Sequence, residues 1–101
     1  MNRASAELEA FIDEALRRAQ EKDYHPTAFV GMRARRGTLE AISRLVRSGD
    51  MQSGFRRMKE LGLLDWTIEA AVLKFPHEFT RDDRECAFFR LQQVGWRPKH
   101  E

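Results

Sequence analysis

Hydrophobic residues recur every three to four positions along most of the chain. The first such run covers residues 5–22, where apolar and charged side chains take opposite sides of a helix. Its inward positions are Leu8, Phe11, Ile12, Ala15, Leu16 and Ala19. Ser5 stands just before the first apolar position, where a hydroxyl can accept from a free backbone N–H. The pattern therefore predicts an amphipathic helix over residues 5–22.

Three shorter helical patterns follow. Pro26 suits the first position of the second helix, because the N–H that proline lacks would have no partner there. Gly37 is expected to end this helix, and Thr38 to cap the third. A turn over residues 48–54 then leads into the fourth. The inward positions of these three helices are Ala28, Phe29, Met32, Leu39, Ile42, Leu45, Val46, Phe55, Met58 and Leu61.

The segment 62–76, GLLDWTIEAAVLKFP, carries only three charges, on Asp65, Glu69 and Lys74. A helix that is apolar on nearly every side is buried by its neighbours. The pattern therefore predicts a buried helix over residues 66–75, with Asp65 as its N-cap. Pro76 ends it, because the residue before a proline avoids the helical region. The predicted core residues of this helix are Trp66, Ile68, Val72 and Phe75.

The last helical pattern begins after Thr80. Thr80 and Asp83 have the spacing of a capping box. Its inward stripe is predicted to be Ala87, Phe88, Leu91 and Val94. No stretch shows the alternating pattern of a half-buried strand. The predicted fold class is therefore all-α, a compact bundle of about six short helices around the buried helix at 66–75.

Composition favours one ordered domain over residues 1–101. Apolar residues make up 42% of the chain, with only three prolines and six glycines. The single cysteine, Cys86, has no second thiol for an internal disulfide or a cysteine-rich zinc site. The first residues carry charges where a signal peptide needs an apolar run, so neither a leader nor a membrane partner is predicted. We expect a cytoplasmic protein.

Positive charge is concentrated in the middle of the chain. Residues 33–59 hold eight basic and two acidic residues, a net +6, whereas the segments on either side are each −2. Seven of these eight cations are arginine, whose planar guanidinium suits phosphate and carboxylate groups. Such a surface can bind nucleic acid by neutralising phosphates. The alternative is an ordinary solvated surface that is rich in arginine.

The same segment loosely has the shape of a helix-turn-helix, with a turn at Gly49 and a second helix near Gln52. Leu45 is large for the close helix contact of such motifs, and Gly54 is a poor helix former, so an ordinary helical hairpin is the competing interpretation. Arg56 and Arg57 are expected to point outward, because the apolar residues on either side of them point inward. The candidate residues for binding nucleic acid or a partner are Arg33, Arg35, Arg36, Arg44, Arg47, Gln52, Arg56, Arg57 and Lys59.

Catalytic and metal signatures are weaker than their structural alternatives. His77 and Glu78 lie near three further acidic residues, but negative side chains in the first turn of a helix complement the helix dipole. Cys86 has no histidine and acid spaced to activate it, and is expected to be a small packed residue. Glu69 must be paired or reach solvent, and pairing with an arginine is favoured. We therefore predict no enzyme, no cofactor and no metal.

Several runs resemble a family of small helical modules of bacteria and phages. The runs are YHPTAFVGM, GTLEAISRL, SGFRRMKELGLLDWTIEAAVL and FTRDDRECAFFRLQQVGW, which together span residues 24–96. Members occur alone or attached to nuclease-like or restriction-related proteins. The resemblance implies a helical fold and a setting of DNA handling, defence or mobile elements, with the helix of residues 5–22 peripheral to the module. It assigns no activity and no residue role.

Two functions therefore compete. The first is a nucleic-acid-binding module that uses the basic segment. The second is a module that docks on, regulates or inhibits a nucleic-acid-processing complex, with the same arginines against an acidic protein surface.

Overall fold

All the regular secondary structure in the described part of the chain is helical. A computed structural model describes residues 3–48 and 53–97. The α-helices are α1 (Ala6–Glu21), α2 (Thr27–Arg36), α3 (Thr38–Val46), α4 (Ser53–Glu60), α5 (Ile68–Lys74) and α6 (Arg81–Gln93), and short 3-10 turns occur at Leu64–Trp66 and Pro76–Glu78. These residues contain no strand, so the predicted all-α fold is confirmed. None of these helices is both long enough and apolar enough to cross a bilayer.

The first and the last helix begin as predicted. The Ser5 hydroxyl accepts from the Leu8 backbone N–H at 3.1 Å, which caps α1. Thr80 and Asp83 form a complete capping box at the start of α6. The predicted turn between α3 and α4 lies mostly outside the described residues.

Two helix starts near α2 differ from the prediction. Pro26 is the N-cap of α2 and not its first residue. Thr38 does not cap α3, because Gly37 takes that position with a φ of 90°, a conformation that glycine adopts without steric cost. The Thr38 hydroxyl is instead used in tertiary contacts with Arg33 and Glu9.

The central helix starts later than predicted. The Thr67 hydroxyl accepts from the Ala70 backbone N–H, so Thr67 and not Asp65 is the N-cap, and α5 begins at Ile68. Asp65 accepts a hydrogen bond of 2.7 Å from the indole N–H of Trp96. Asp65 was a wrong choice of cap because threonine is also a good N-cap and stands two residues closer to the first buried position.

The core forms around α5, which contacts α1, α3 and α6. Val72 and Ala71 of α5 are fully buried, which confirms that this helix is central. The buried hydrophobic cluster consists of Leu8, Ile12, Phe29, Ala41, Ile42, Val46, Ala71, Val72, Phe79 and Ala87.

Two of the predicted core aromatics lie nearer the surface. Trp66 is half-buried: it stacks on Phe11 with ring centroids 4.8 Å apart, and the Arg18 guanidinium lies 4.3 Å from its ring centroid. Phe88 is exposed, so its assignment to the inward stripe of α6 was wrong. The buried positions of α6 include Arg90 in place of this aromatic residue.

Candidate nucleic-acid interface

Arg33 is committed to contacts inside the protein. Its guanidinium forms ion pairs with Glu9 at 2.5 Å and Asp13 at 3.0 Å, and it donates to the Thr38 hydroxyl. Burial works to raise the pKa of Glu9, but the hydrogen bonds from Thr38 and Arg33 outweigh it and hold the pKa below its usual range. Only 20% of the Arg33 side chain is exposed. Arg33 therefore joins α2 to α1 and offers little to a ligand.

Arg44 in α3 and Arg47 at the C-cap of this helix are also paired. Arg44 contacts Glu40 at 2.5 Å on the surface of α3. Arg47 lies 3.2 Å from Asp83, whose carboxylate is almost fully buried at the start of α6. About half of each arginine side chain remains exposed. Arg44 can exchange its partner for a phosphate at small cost, since exposed pairs contribute little, whereas Arg47 would leave a buried carboxylate without it.

Helix α4 presents three cations to solvent, as predicted for Arg56 and Arg57. Arg57 lies 3.3 Å from Glu60. Its positive charge also acts on the phenol of Tyr24, although burial dominates and raises the pKa of that phenol. Arg56 and Lys59 are exposed and form no ion pair within residues 3–48 and 53–97. Since they are three apart on one helix, their side chains are neighbours.

Arg35 and Arg36 at the end of α2 are exposed as well, and neither is ion-paired in the described ranges. They point to different sides. Arg35 lies seven residues after Ala28, on the same face of α2. Arg36 lines a separate, polar groove together with Arg3 and Glu9.

A pocket of about 340 Å³ lies between residues of α2 and α4. Ala28 and Phe29 of α2 border it on one side and Phe55 and Met58 of α4 on another, with α1 and the start of α5 completing the wall. Arg35 follows Ala28 on the same face of α2, roughly 10 Å further along the helix. We call the exposed cations Arg35, Arg56, Arg57 and Lys59 together the α2–α4 cationic surface.

Gln52 and the suggested helix-turn-helix are the remaining parts of the prediction. Gln52 lies outside the described residues. The second helix of the suggested helix-turn-helix is α4, which packs mainly against the Leu64–Trp66 turn.

The sequence pointed to an arginine partner for Glu69 without identifying it, and the structure supplies Arg90. The Glu69 carboxylate accepts from Arg90 at 2.7 Å, and both side chains are buried. Burial raises the pKa of Glu69, against the opposing effect of Arg90. Arg90 also donates to backbone carbonyls at the end of α3, among them Ser48 at 2.8 Å. Arg90 shares the buried face of α6 with Ala87 and Leu91. This position in the helical pattern could have predicted its burial, but the predicted inward stripe did not include it.

The acidic residues considered as metal ligands have other contacts. Glu78 accepts from both the backbone N–H and the hydroxyl of Ser5. Asp83 accepts from the Ser43 hydroxyl at 2.8 Å and from the backbone N–H of Thr80. The described ranges contain no group of three or more histidine, cysteine or acidic residues placed to hold a metal ion.

Comparisons of the chain with protein-family models, curated proteins and solved structures give no match. The resemblance to the bacterial and phage modules therefore stays a prediction.

Proposed function

We propose that this protein is a small non-enzymatic module that binds nucleic acid through the α2–α4 cationic surface. The observation that carries the proposal is the pair Arg56 and Lys59 on α4, exposed side by side and without a carboxylate partner in the described ranges. Cations without partners can neutralise phosphates without first giving up an intramolecular contact. Each phosphate that they neutralise releases condensed counterions, which supplies the free energy of sequence-independent binding.

Arg57 and Arg35 extend this surface. The Arg57–Glu60 pair is exposed and its contact is long, so a phosphate can replace Glu60 at little cost. The half-buried Tyr24 has its hydroxyl beside Gly54 at the start of α4 and offers it for phosphate. This arrangement predicts binding of moderate affinity with little dependence on base sequence.

The test is a titration of a labelled duplex and a labelled single strand of mixed sequence, followed by fluorescence anisotropy at several low salt concentrations. The wild-type protein should bind, with affinity falling steeply as salt rises. Arg56→Glu with Lys59→Glu should weaken binding at low salt and reduce the slope of log affinity against log salt by about two units on duplex DNA, since each phosphate contact contributes roughly 0.9.

Arg3→Glu with Lys74→Glu is the matched control. Both residues are exposed and neither lines the pocket that α4 borders, and the double change alters the net charge by the same amount. This control should keep most of the wild-type slope. A wild-type protein that binds neither strand form at low salt would refute the proposal and leave an acidic protein surface as the partner of these cations. Equal losses in the two double variants would show attraction by overall charge and no defined surface.

A further inference from the structure

The pocket between α2 and α4 has the size and the lining of a small-molecule site. Its volume of about 340 Å³ lies at the lower end of the range for ligand pockets and suits a molecule of one or two rings. Most of its wall is apolar and includes the rings of Phe29, Phe55 and Trp66. Aromatic rings pack favourably against one another. The wall therefore favours a small, mainly apolar molecule with an aromatic ring.

One polar group of this pocket has no hydrogen-bond partner among residues 3–48 and 53–97. This group is the hydroxyl of Tyr24, a half-buried residue that lines the pocket. Burial raises the pKa of this phenol, so the hydroxyl stays protonated at neutral pH and can donate a hydrogen bond. A ligand in the pocket can supply the acceptor that the described residues do not provide.

Gly54 explains how the Tyr24 hydroxyl reaches the edge of the pocket. Glycine is a poor helix former, yet Gly54 lies in the first turn of α4. A Cβ atom at this position would lie 2.8 Å from the Tyr24 hydroxyl, which is too close for van der Waals contact. Both residues line the pocket, and the neighbouring Ser53 is exposed. The missing side chain at Gly54 thus leaves room for a hydroxyl near the mouth of the pocket.

The charges around the pocket favour an anionic group on the ligand. The positive charge of Arg57 acts on the Tyr24 phenol, so it also attracts an anion bound to this hydroxyl. Glu60, which pairs with Arg57, does not line the pocket. Among the described lining residues the one carboxylate is that of Glu69, and Arg90 compensates its charge with a hydrogen bond of 2.7 Å. An anion near the mouth therefore meets a donor and a cation.

We infer that this pocket binds a small aromatic carboxylic acid. The ring system packs among the aromatic side chains of the wall, and the carboxylate accepts a hydrogen bond from the Tyr24 hydroxyl. A hydrogen bond to a charged acceptor is stronger than one between neutral groups, so the acid binds better than an uncharged analogue of the same shape. This site goes beyond the proposed contact with nucleic acid, in which the same hydroxyl is offered to phosphate.

Naphthoate and naphthamide are a matched pair of probes, because they have the same rings and differ in the charge of the polar group. Each is titrated into the full chain without nucleic acid, and backbone amide chemical shifts are followed by NMR. Naphthoate should bind saturably with a dissociation constant between about 10 μM and 1 mM, a range usual for a ligand of this size. Naphthamide should bind about fivefold more weakly.

Two phenylalanine substitutions on α2 locate the binding site. Ala28 is exposed and lines the pocket, so the larger side chain of Ala28→Phe occupies the space of the ligand. This variant should bind naphthoate about tenfold more weakly or not at all. Ala34→Phe is the same change at an exposed residue of α2 that does not line the pocket, and it should keep the wild-type affinity. Thermal unfolding checks that both variants retain the fold.

Tyr24→Phe tests the hydroxyl while keeping the ring. It should weaken naphthoate binding about tenfold and naphthamide binding less, because the lost hydrogen bond has a charged acceptor only in naphthoate. This variant also decides the inference if Ala28→Phe does not fold. No saturable binding of naphthoate up to about 5 mM, equal affinity in Ala28→Phe and wild type, equal affinity for the two probes, or no effect of Tyr24→Phe would each overturn the inference. Because no nucleic acid is present, these outcomes are independent of the proposed binding function.

Discussion

Arginine has opposite roles in the interior beside α5 and on the outer surface of α4. Arg90 is buried, bound to Glu69 and to carbonyls at the end of α3. Arg56 is exposed and forms no ion pair in the described ranges. The same residue type thus joins three helices in one region and stays available for a ligand in the other. The difference lies in whether a carboxylate shares the site, which charge counts along the sequence do not reveal.

Breaking the buried Glu69–Arg90 pair should give the largest loss of stability in the interior. Transferring two charges out of water is costly, and removing one partner leaves the other without compensation. Arg90→Met should therefore lower the free energy of unfolding by about 3–5 kcal/mol, a large share of the stability of a domain this size. Urea denaturation measures the loss.

A second variant separates the net contribution of the Glu69–Arg90 pair to stability from the cost of breaking it. Adding Glu69→Leu to Arg90→Met removes the uncompensated carboxylate, so the double variant should regain part of the stability lost. A double variant that is less stable than Arg90→Met would mean that Glu69 has a favourable role of its own beyond this pair.

Truncation within α5 should give the next largest effect. Val72 is fully buried, so Val72→Ala should cost about 1–4 kcal/mol through lost burial and the cavity left behind. Ile68 is only half-buried, so Ile68→Ala should cost less than Val72→Ala although it removes more atoms. Thermal and urea unfolding check the order. A larger loss at Ile68 would place the centre of packing nearer the start of α5 than the structure does.

The Arg33 network predicts an acid-sensitive contribution. Since the pKa of Glu9 is lowered in the folded protein, its stabilising effect is present above the unfolded value of about 4.3 and is lost as pH falls through the folded value. Glu9→Gln should therefore be less stable than wild type at neutral pH and lose less stability on acidification. Melting temperatures of the two proteins, measured from neutral pH down through the folded pKa of Glu9, test both expectations. Parallel curves for the two proteins would mean that Glu9 contributes nothing to acid unfolding.

Sequence reasoning recovered the helices and their arrangement more fully than the site. Helical periodicity and local caps such as Ser5 and Thr80 depend on neighbouring residues, so they can be read from short windows. The partner of Arg33 is 24 residues away, and that of Arg90 is 21 residues away. No local pattern reports such contacts, and for this reason the predicted basic surface included Arg33.

Phe88 is a second residue for which a local sequence pattern gave the wrong environment. Its neighbours Ala87 and Leu91 are buried, and hydrophobicity alone assigned it to their stripe. The buried face of α6 is instead extended by Arg90 and Asp83, whose partners make their burial possible. Burial of polar residues depends on partners from other helices, which become visible only in the folded chain.

The most direct test compares, in one binding experiment, a paired arginine with the two α4 cations that form no ion pair among the described residues. Arg33→Ala and the double variant Arg56→Ala with Lys59→Ala are titrated with the same labelled duplex over a series of salt concentrations. The double variant should unfold within about 0.5 kcal/mol of wild type, as surface changes usually do, yet its slope of log affinity against log salt should fall by about two units. Arg33→Ala should be less stable and keep the wild-type slope. An equal fall in slope for Arg33→Ala, or no fall for the double variant, would contradict the account.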